Sequence, residues 1–310
     1  MSGTWIRAQA GTGVVPPWTL AVGAMLSVQL GSALSVPLIE EVGAAGTAWL
    51  RLSLGGLVFL AVARPAWRSI RRQDLPALVG LGVVSGLVTI CFLAAIARIP
   101  LGTAVAIEFL GPLTVAAIRA HSRRALIWPG LALVGVVGLT EPWHGEIDPA
   151  GLMFAGLGAV GWGVFIVLTQ YVGDRHSGMS ALAFTVPVAA LTAAVPGIPQ
   201  AAAHLSVEVV LTAAGLALLF PVLQYALDLL ALRHMTQTAF GTLMALEPAV
   251  GVLLGLLLLS QEPSPVQLFG IALVVIAGAA AQRGGHRTPM HDVSADGIEP
   301  ALHPLALEPK

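Results

Sequence analysis

Residues 130–138, GLALVGVVG, read much like residues 270–278, GIALVVIAG. A fragment that returns in the second half of a chain raises the question of an internal duplication. The match continues upstream. Arg98-Ile99-Pro100-Leu101-Gly102-Thr103-Ala104 precedes one apolar run much as Arg233-His234-Met235-Thr236-Gln237-Thr238-Ala239 precedes another, and Pro112 then falls at the place of Pro248.

The runs themselves are of membrane type. The chain is 56% hydrophobic and only 10% charged, where soluble domains carry roughly 25% charged residues, and its mean hydropathy is +0.87. The apolar material recurs as about ten runs of ~17 to 24 residues, the length a helix needs to cross a ~30 Å hydrocarbon core. The spans are expected near 18–39, 44–63, 76–97, 102–119, 125–140, 150–171, 179–196, 207–231, 237–259 and 265–282. Five spans, 18–140, then form one copy and five more, 150–282, the other. Five is odd, so the second copy enters the bilayer from the opposite side. The expectation is an all-α integral membrane protein of ten transmembrane helices in two inverted five-helix repeats. Such repeats suit secondary transport, because two halves of opposite orientation can expose a midplane site to each side in turn.

Residues 1–17 are too polar and Pro-rich for a signal peptide, so the first span is read as uncleaved. Arginines gather at one set of loops: Arg64, Arg68, Arg71, Arg72, Arg119, Arg123, Arg124, Arg175, Arg233, Arg283 and Arg287. By the positive-inside rule these ends are cytoplasmic, as are both termini, which makes the protein multi-pass with its arginine-rich loops inside. The alternate loops hold Glu40, Glu41, Glu141, Glu146, Asp148 and Glu262, with Arg98 as the basic exception. Trp18, Trp67, Trp128 and Trp143 fall near span ends, where indole rings prefer the interface. The polar, His- and Pro-rich residues 283–310 are expected to be a disordered cytoplasmic tail.

Three ionisable residues interrupt the apolar runs. Glu108, in AVAIEFLGP (104–112), and Arg51, in WLRLSLGG (49–56), lie at nearly equal depth, about 10 Å below the outer edge at 1.5 Å per residue. Equal depth suggests an ion pair. Glu247, in ALEPAV (245–250), lies deeper and directly before Pro248. In the repeat alignment the two glutamates fall on neighbouring faces of equivalent helices, about one turn offset. Ionised groups at that depth cost at least ~2.5 to 3.5 kcal/mol on insertion scales and so face protein or water. Asp228, near Arg233, is read either as an interfacial pair or as part of the same cavity; Tyr225, one turn away, either shares that cavity or packs. Trp162 is equally open between packing and cavity wall. A zwitterion could place its carboxylate on Arg51 and its ammonium on a glutamate, displacing the internal pair.

Other residues read as structure. Ala155, Ala159 and Gly163 form a small-residue stripe for close helix packing. Pro112, Pro187, Pro221 and Pro248 lie inside spans and mark bends. Cys91 is the only cysteine and sits in a span, which excludes an intramolecular disulfide. Lys310 is the only lysine, so no phosphate-binding Gly-Lys-Ser/Thr loop and no lysine Schiff base exist in this chain. No nucleophile or metal motif suggests an intramembrane enzyme. No cofactor and no nucleic-acid partner are expected.

PLGTAVAIEFLGPLTVA (100–116) together with TAFGTLMALEPAVGVLLGLLLLSQEPSPVQLFGI (238–271) resembles the bacterial threonine/homoserine exporters of the EamA family, in the drug/metabolite transporter superfamily. The resemblance spans about 18–282. It implies a ten-helix inner-membrane protein of two EamA repeats that exports small neutral amino acids such as threonine or homoserine, or another small metabolite or drug, at the expense of the proton gradient. Substrate, protons and the lipid bilayer would be its partners, and a homodimer fits the pattern of small transporters. The resemblance also implies that Glu108, Glu247, Tyr225 and Asp228 fall where that group carries polar residues, Asp228 being shorter than the acid expected there.

Overall fold

A computed structural model describes residues 16–63, 73–119, 123–141, 148–173, 178–234 and 237–283. They are helical throughout, with no strand among the described residues. The helices are α1 (Pro17–Ala33), α2 (Val36–Val42), α3 (Ala44–Ala63), α4 (Leu75–Ile96), α5 (Leu101–Arg119), α6 (Ile127–Thr140), α7 (Pro149–Gly173), α8 (Gly178–Ala201), α9 (Val207–Ala217), α10 (Gln224–His234), α11 (Gln237–Met244), α12 (Glu247–Leu259) and α13 (Pro265–Arg283). Seven stretches among the described residues are long and apolar enough to cross a membrane: Pro17–Val42, Ala44–Val62, Leu75–Ile96, Leu101–Ile118, Pro149–Val172, Ala181–His204 and Val207–Asp228. Ile127–Thr140, Glu247–Leu259 and Pro265–Ala281 are shorter apolar helices.

Three of the expected continuous helices are broken. The first stops at Leu34–Ser35 and resumes as α2, with Pro37 in the first turn, where its missing N–H costs nothing. Between α9 and α10, residues Leu218–Leu223 form one wide turn in which Phe220 is extended (φ −140, ψ 123) and the Phe220–Pro221 peptide is cis. The third break, at Ala245–Leu246, starts α12 with Glu247 and Pro248 in its first turn. Pro112 and Pro187, by contrast, lie within uninterrupted helices, as do Pro196 and Pro199.

Packing is close because the contact faces are small. α3 packs on α8, α4 on both α7 and α8, α5 on α7 and α12, α6 on α13, and α1 on α10 and α12. Gly111 of α5 faces the Ala159 carbonyl and Gly163 of α7, so the small-residue stripe meets a glycine and leaves no room for a Cβ. Gly135 and Gly270 face each other's carbonyls across α6 and α13 in the same way. Without a hydrophobic driving force between helices in lipid, this close approach is what holds them. Leu57, Val160, Leu191 and Val195 point outward, as a lipid-facing surface requires.

Side chains tie the helix ends that the arginine pattern places outside. Gln200 Oε1 accepts from the backbone N–H of Ala45 (3.0 Å) and Gly46 (3.3 Å), capping α3, and Gly43 (φ 76) has no Cβ to collide with it. Gln261 Oε1 does the same for Leu101 at the start of α5, at 3.1 Å. Ser264 donates to Glu141 Oε1 at 2.9 Å. Arg98, the exception to the charge pattern, pairs with Asp148 at 3.7 Å and lies over the Phe154 ring at 5.2 Å. Its charge is matched locally. Trp18 is exposed at the start of α1 and Trp128 half-buried near the start of α6. Trp67, Trp143 and most of the arginine-rich loops lie outside the described residues, as do residues 284–310 of the expected tail.

Candidate functional site

Glu108 projects from α5 one turn before Pro112 and is only 7% exposed. Its Oε2 accepts from the indole N–H of Trp162 on α7 at 3.2 Å. Its Oε1 is buried with no hydrogen-bond partner among the described residues. α7 makes room for that oxygen with Gly158, where a Cβ would overlap it. Cys91 of α4 and Glu247 of α12 both lie within electrostatic reach of Glu108.

Glu247 is delivered by the third break, which turns the start of α12 inside the bundle and sets its acid in the first helical turn. It is within electrostatic reach of Asp228 on α10 as well as of Glu108. Asp228 Oδ2 accepts from Gln224 Nε2, one turn earlier, at 3.2 Å. Asp228 Oδ1 and Gln224 Oε1 are buried without partners, and so is Gln29 Oε1 on α1. Tyr225 stands between two rings, 5.8 Å from Phe220 and 6.2 Å from Phe59, is hydrogen-bonded to Ser85, and lies within reach of the Asp228 charge. Glu108, Glu247 and Asp228 thus form one connected acidic group, drawn from α5, α12 and α10. The Arg233 side chain, one of the two alternatives for Asp228, lies outside the described residues.

Arg51 is elsewhere. It is 2% exposed on α3, its Nη1 donates to Ser35 Oγ at 2.7 Å, and Ser35 donates in turn to the Gly31 carbonyl at 2.6 Å. Its guanidinium lies over the Phe220 ring at 5.1 Å, and its Nε is buried without a partner. The expected Arg51–Glu108 ion pair is therefore not formed. Depth along a helix carries no information about azimuth: α3 turns Arg51 toward the breaks at Ser35 and Phe220, whereas α5 turns Glu108 toward α7. What links Arg51 to the acids is a pair of rings, since Phe220 neighbours both Arg51 and Tyr225, and Tyr225 lies within reach of the Asp228 charge.

Reading from sequence alone missed Ser35, Phe220, Gln29 and Gln224 and left Trp162 undecided. Gln29 and Gln224 carried a signal, as polar amides in otherwise apolar runs. Phe220 carried part of one, since the residue before a proline favours an extended backbone, and Ser35 had none. Among the described residues no group of three or more His, Cys, Asp or Glu could hold a metal ion.

Broken helices that deliver unpaired ionisable side chains to the interior of an apolar helical bundle define a multi-span membrane transporter. Comparison with known proteins agrees. Residues 149–280 match the model of the EamA-like transporter family. The chain is 34% identical over 274 residues to the threonine/homoserine exporter RhtA of Escherichia coli (strain K12), covering 84% of this chain and 89% of the relative. It is 32% identical over 277 residues to RhtA of Salmonella typhimurium (strain LT2), covering 86% and 91%. A more distant relative, the pseudopaline exporter CntI of Pseudomonas aeruginosa (strain PAO1), is 26% identical over 278 residues, covering 85% and 95%. A solved crystal structure shares the fold at a TM-score of 0.57 and 19% identity, covering 86% of this chain and 96% of that one. This chain belongs to the EamA-like transporter family.

Proposed function

We propose that this protein is an inner-membrane secondary transporter that exports small neutral amino acids, threonine and homoserine first among them, by alternating access coupled to protons. The observation that carries the reading is the acidic group of Glu108, Glu247 and Asp228, in which Glu108 Oε1 and Asp228 Oδ1 are buried without partners among the described residues. An ammonium or a proton offers such oxygens what the protein withholds. Glu108 and Glu247 serve as the coupling and cargo acids; Asp228, with Gln224 and Tyr225, completes the wall.

The packing supports ten spans in two inverted repeats. Counting α1–α2, α9–α10 and α11–α12 as one span each, spans 2 and 7, 4 and 9, and 5 and 10 pack on each other. Span 3 packs on spans 6 and 7 as span 8 packs on spans 1 and 2, and span 4 packs on span 6 as span 9 packs on span 1. Exchanging every span with the one five places away leaves this pattern unchanged. The arginine distribution favours both termini in the cytoplasm.

The relatives that support amino-acid cargo are the two threonine/homoserine exporters; the similarity to the pseudopaline exporter favours a second reading, efflux of another small metabolite or drug. Cells preloaded with radiolabelled threonine or homoserine, with and without the protein, separate the two. Faster efflux with the protein supports the first reading. Unchanged efflux of both, with the protein present in the membrane, rejects amino-acid cargo and leaves the second.

A further inference from the structure

Arg51 is a buried cation whose described neighbours supply a hydroxyl and an aromatic face but no carboxylate. The acidic group of Glu108, Glu247 and Asp228 has no cation within ion-pair distance among the described residues. An unpaired buried charge is expensive, and so is a buried donor or acceptor with no partner. The interior thus keeps two poles apart rather than neutralising one with the other.

The orphaned atoms specify the chemistry that would satisfy them. Arg51 Nε is a donor and lacks an acceptor; Glu108 Oε1, Asp228 Oδ1, Gln224 Oε1 and Gln29 Oε1 are acceptors and lack donors. A carboxylate is the group that completes the Arg51 side. The guanidinium suits that role, because its planar fork binds carboxylates through paired N–H groups and it remains charged when buried. Ser35 engages Nη1 alone, and the Phe220 ring forms a floor under the guanidinium without competing for its in-plane donors.

We propose that Arg51 and Ser35, floored by Phe220, form the subsite that takes the cargo's carboxylate. Export then requires a free carboxylate, and amino alcohols or amino-acid amides of the same size are refused. This inference rests on the amino-acid reading of the cargo.

The test is counterflow of radiolabelled threonine in proteoliposomes holding the full-length protein, with competition by unlabelled threonine and by threoninol, which keeps the ammonium and the side-chain hydroxyl but has a hydroxymethyl group in place of the carboxylate. A charge-assisted hydrogen bond to a buried group predicts that threoninol competes at least about tenfold more weakly than threonine. In Arg51→Gln the KM for threonine rises by about tenfold or more and the preference for threonine over threoninol falls toward one, while Arg51→Lys keeps part of that preference. Equal competition by the two compounds in the wild type overturns the proposal without needing any variant. So does an Arg51→Gln protein whose maximal rate falls while its preference stays intact, since that is the behaviour of a helix clamp. If the wild type shows no threonine counterflow, the cargo reading fails first and the subsite assignment falls with it.

Discussion

The indole nitrogen of Trp162 donates to Oε2 of Glu108 at 3.2 Å, and the other oxygen of that carboxylate has no described partner. The bond orients an acid that lies between α5 and α7 and leaves half of it available. Trp162→Phe keeps a ring against Phe165, 5.1 Å away in an edge-on contact, but removes the only described donor to Glu108. A hydrogen bond to a charged group is worth ~1.5 to 3 kcal/mol. Transport is expected to fall by about tenfold or more at unchanged membrane levels, measured as initial efflux rate per unit of protein.

The glycines of the α5–α7 contact separate folding from function. A Cβ at Gly111 meets the Ala159 backbone, which cannot yield, so Gly111→Val should lower the amount of folded protein recovered in detergent. A Cβ at Gly158 meets the movable end of Glu108 instead, so Gly158→Ala should fold and transport poorly. Gly156→Ala, on the same helix with nothing near its Cβ, should do neither. Size-exclusion profiles and efflux rates distinguish the three.

Helix placement was largely legible, because a bilayer demands about twenty apolar residues per crossing and hydropathy records that demand directly. The Ala155–Ala159–Gly163 stripe was legible for the same kind of reason: small residues at a spacing of four have one use in a helix pair. Azimuth was not. Arg51 and Glu108 share a depth but face different neighbours, and no periodicity in runs that are apolar on every side says which. Breaks were legible only in part. Pro221 and Pro248 accompany two of them, yet Pro112 and Pro187 sit in continuous helices, because neighbouring groups decide whether a freed carbonyl is tolerated. Phe220 is extended, as a residue before proline favours, but Gly111 and Val186 also precede prolines and stay helical, so the sequence does not say which proline breaks its helix.

Two end contacts should differ in weight. Gln200→Ala strips two N–H groups at the start of α3 of their acceptor and is expected to cost ~1 kcal/mol, as loss of a cap does, visible as a lower melting temperature in detergent. Arg98→Ala removes an ion pair with both side chains well exposed and should leave melting temperature and transport nearly unchanged.

The proposed ten-span topology is open to labelling. In a Cys91→Ala background, His204→Cys and Glu262→Cys should react with a membrane-impermeant maleimide added to intact cells. Ser122→Cys and Ser177→Cys should react only after the membrane is permeabilised. The reverse pattern would invert the topology, and a mixed one would remove the ten-span inverted arrangement.

The central claim is that Glu108 carries cargo or its coupling proton and is not a helix clamp. Efflux of preloaded radiolabelled threonine from cells expressing wild type or Glu108→Gln, at matched membrane levels and matched melting temperature, tests it most directly. The predicted result is export by the wild type and loss of export in a well-folded Gln variant. Equal export by both would contradict it, leaving Glu108 as a packing residue and moving the site to Glu247 and Asp228.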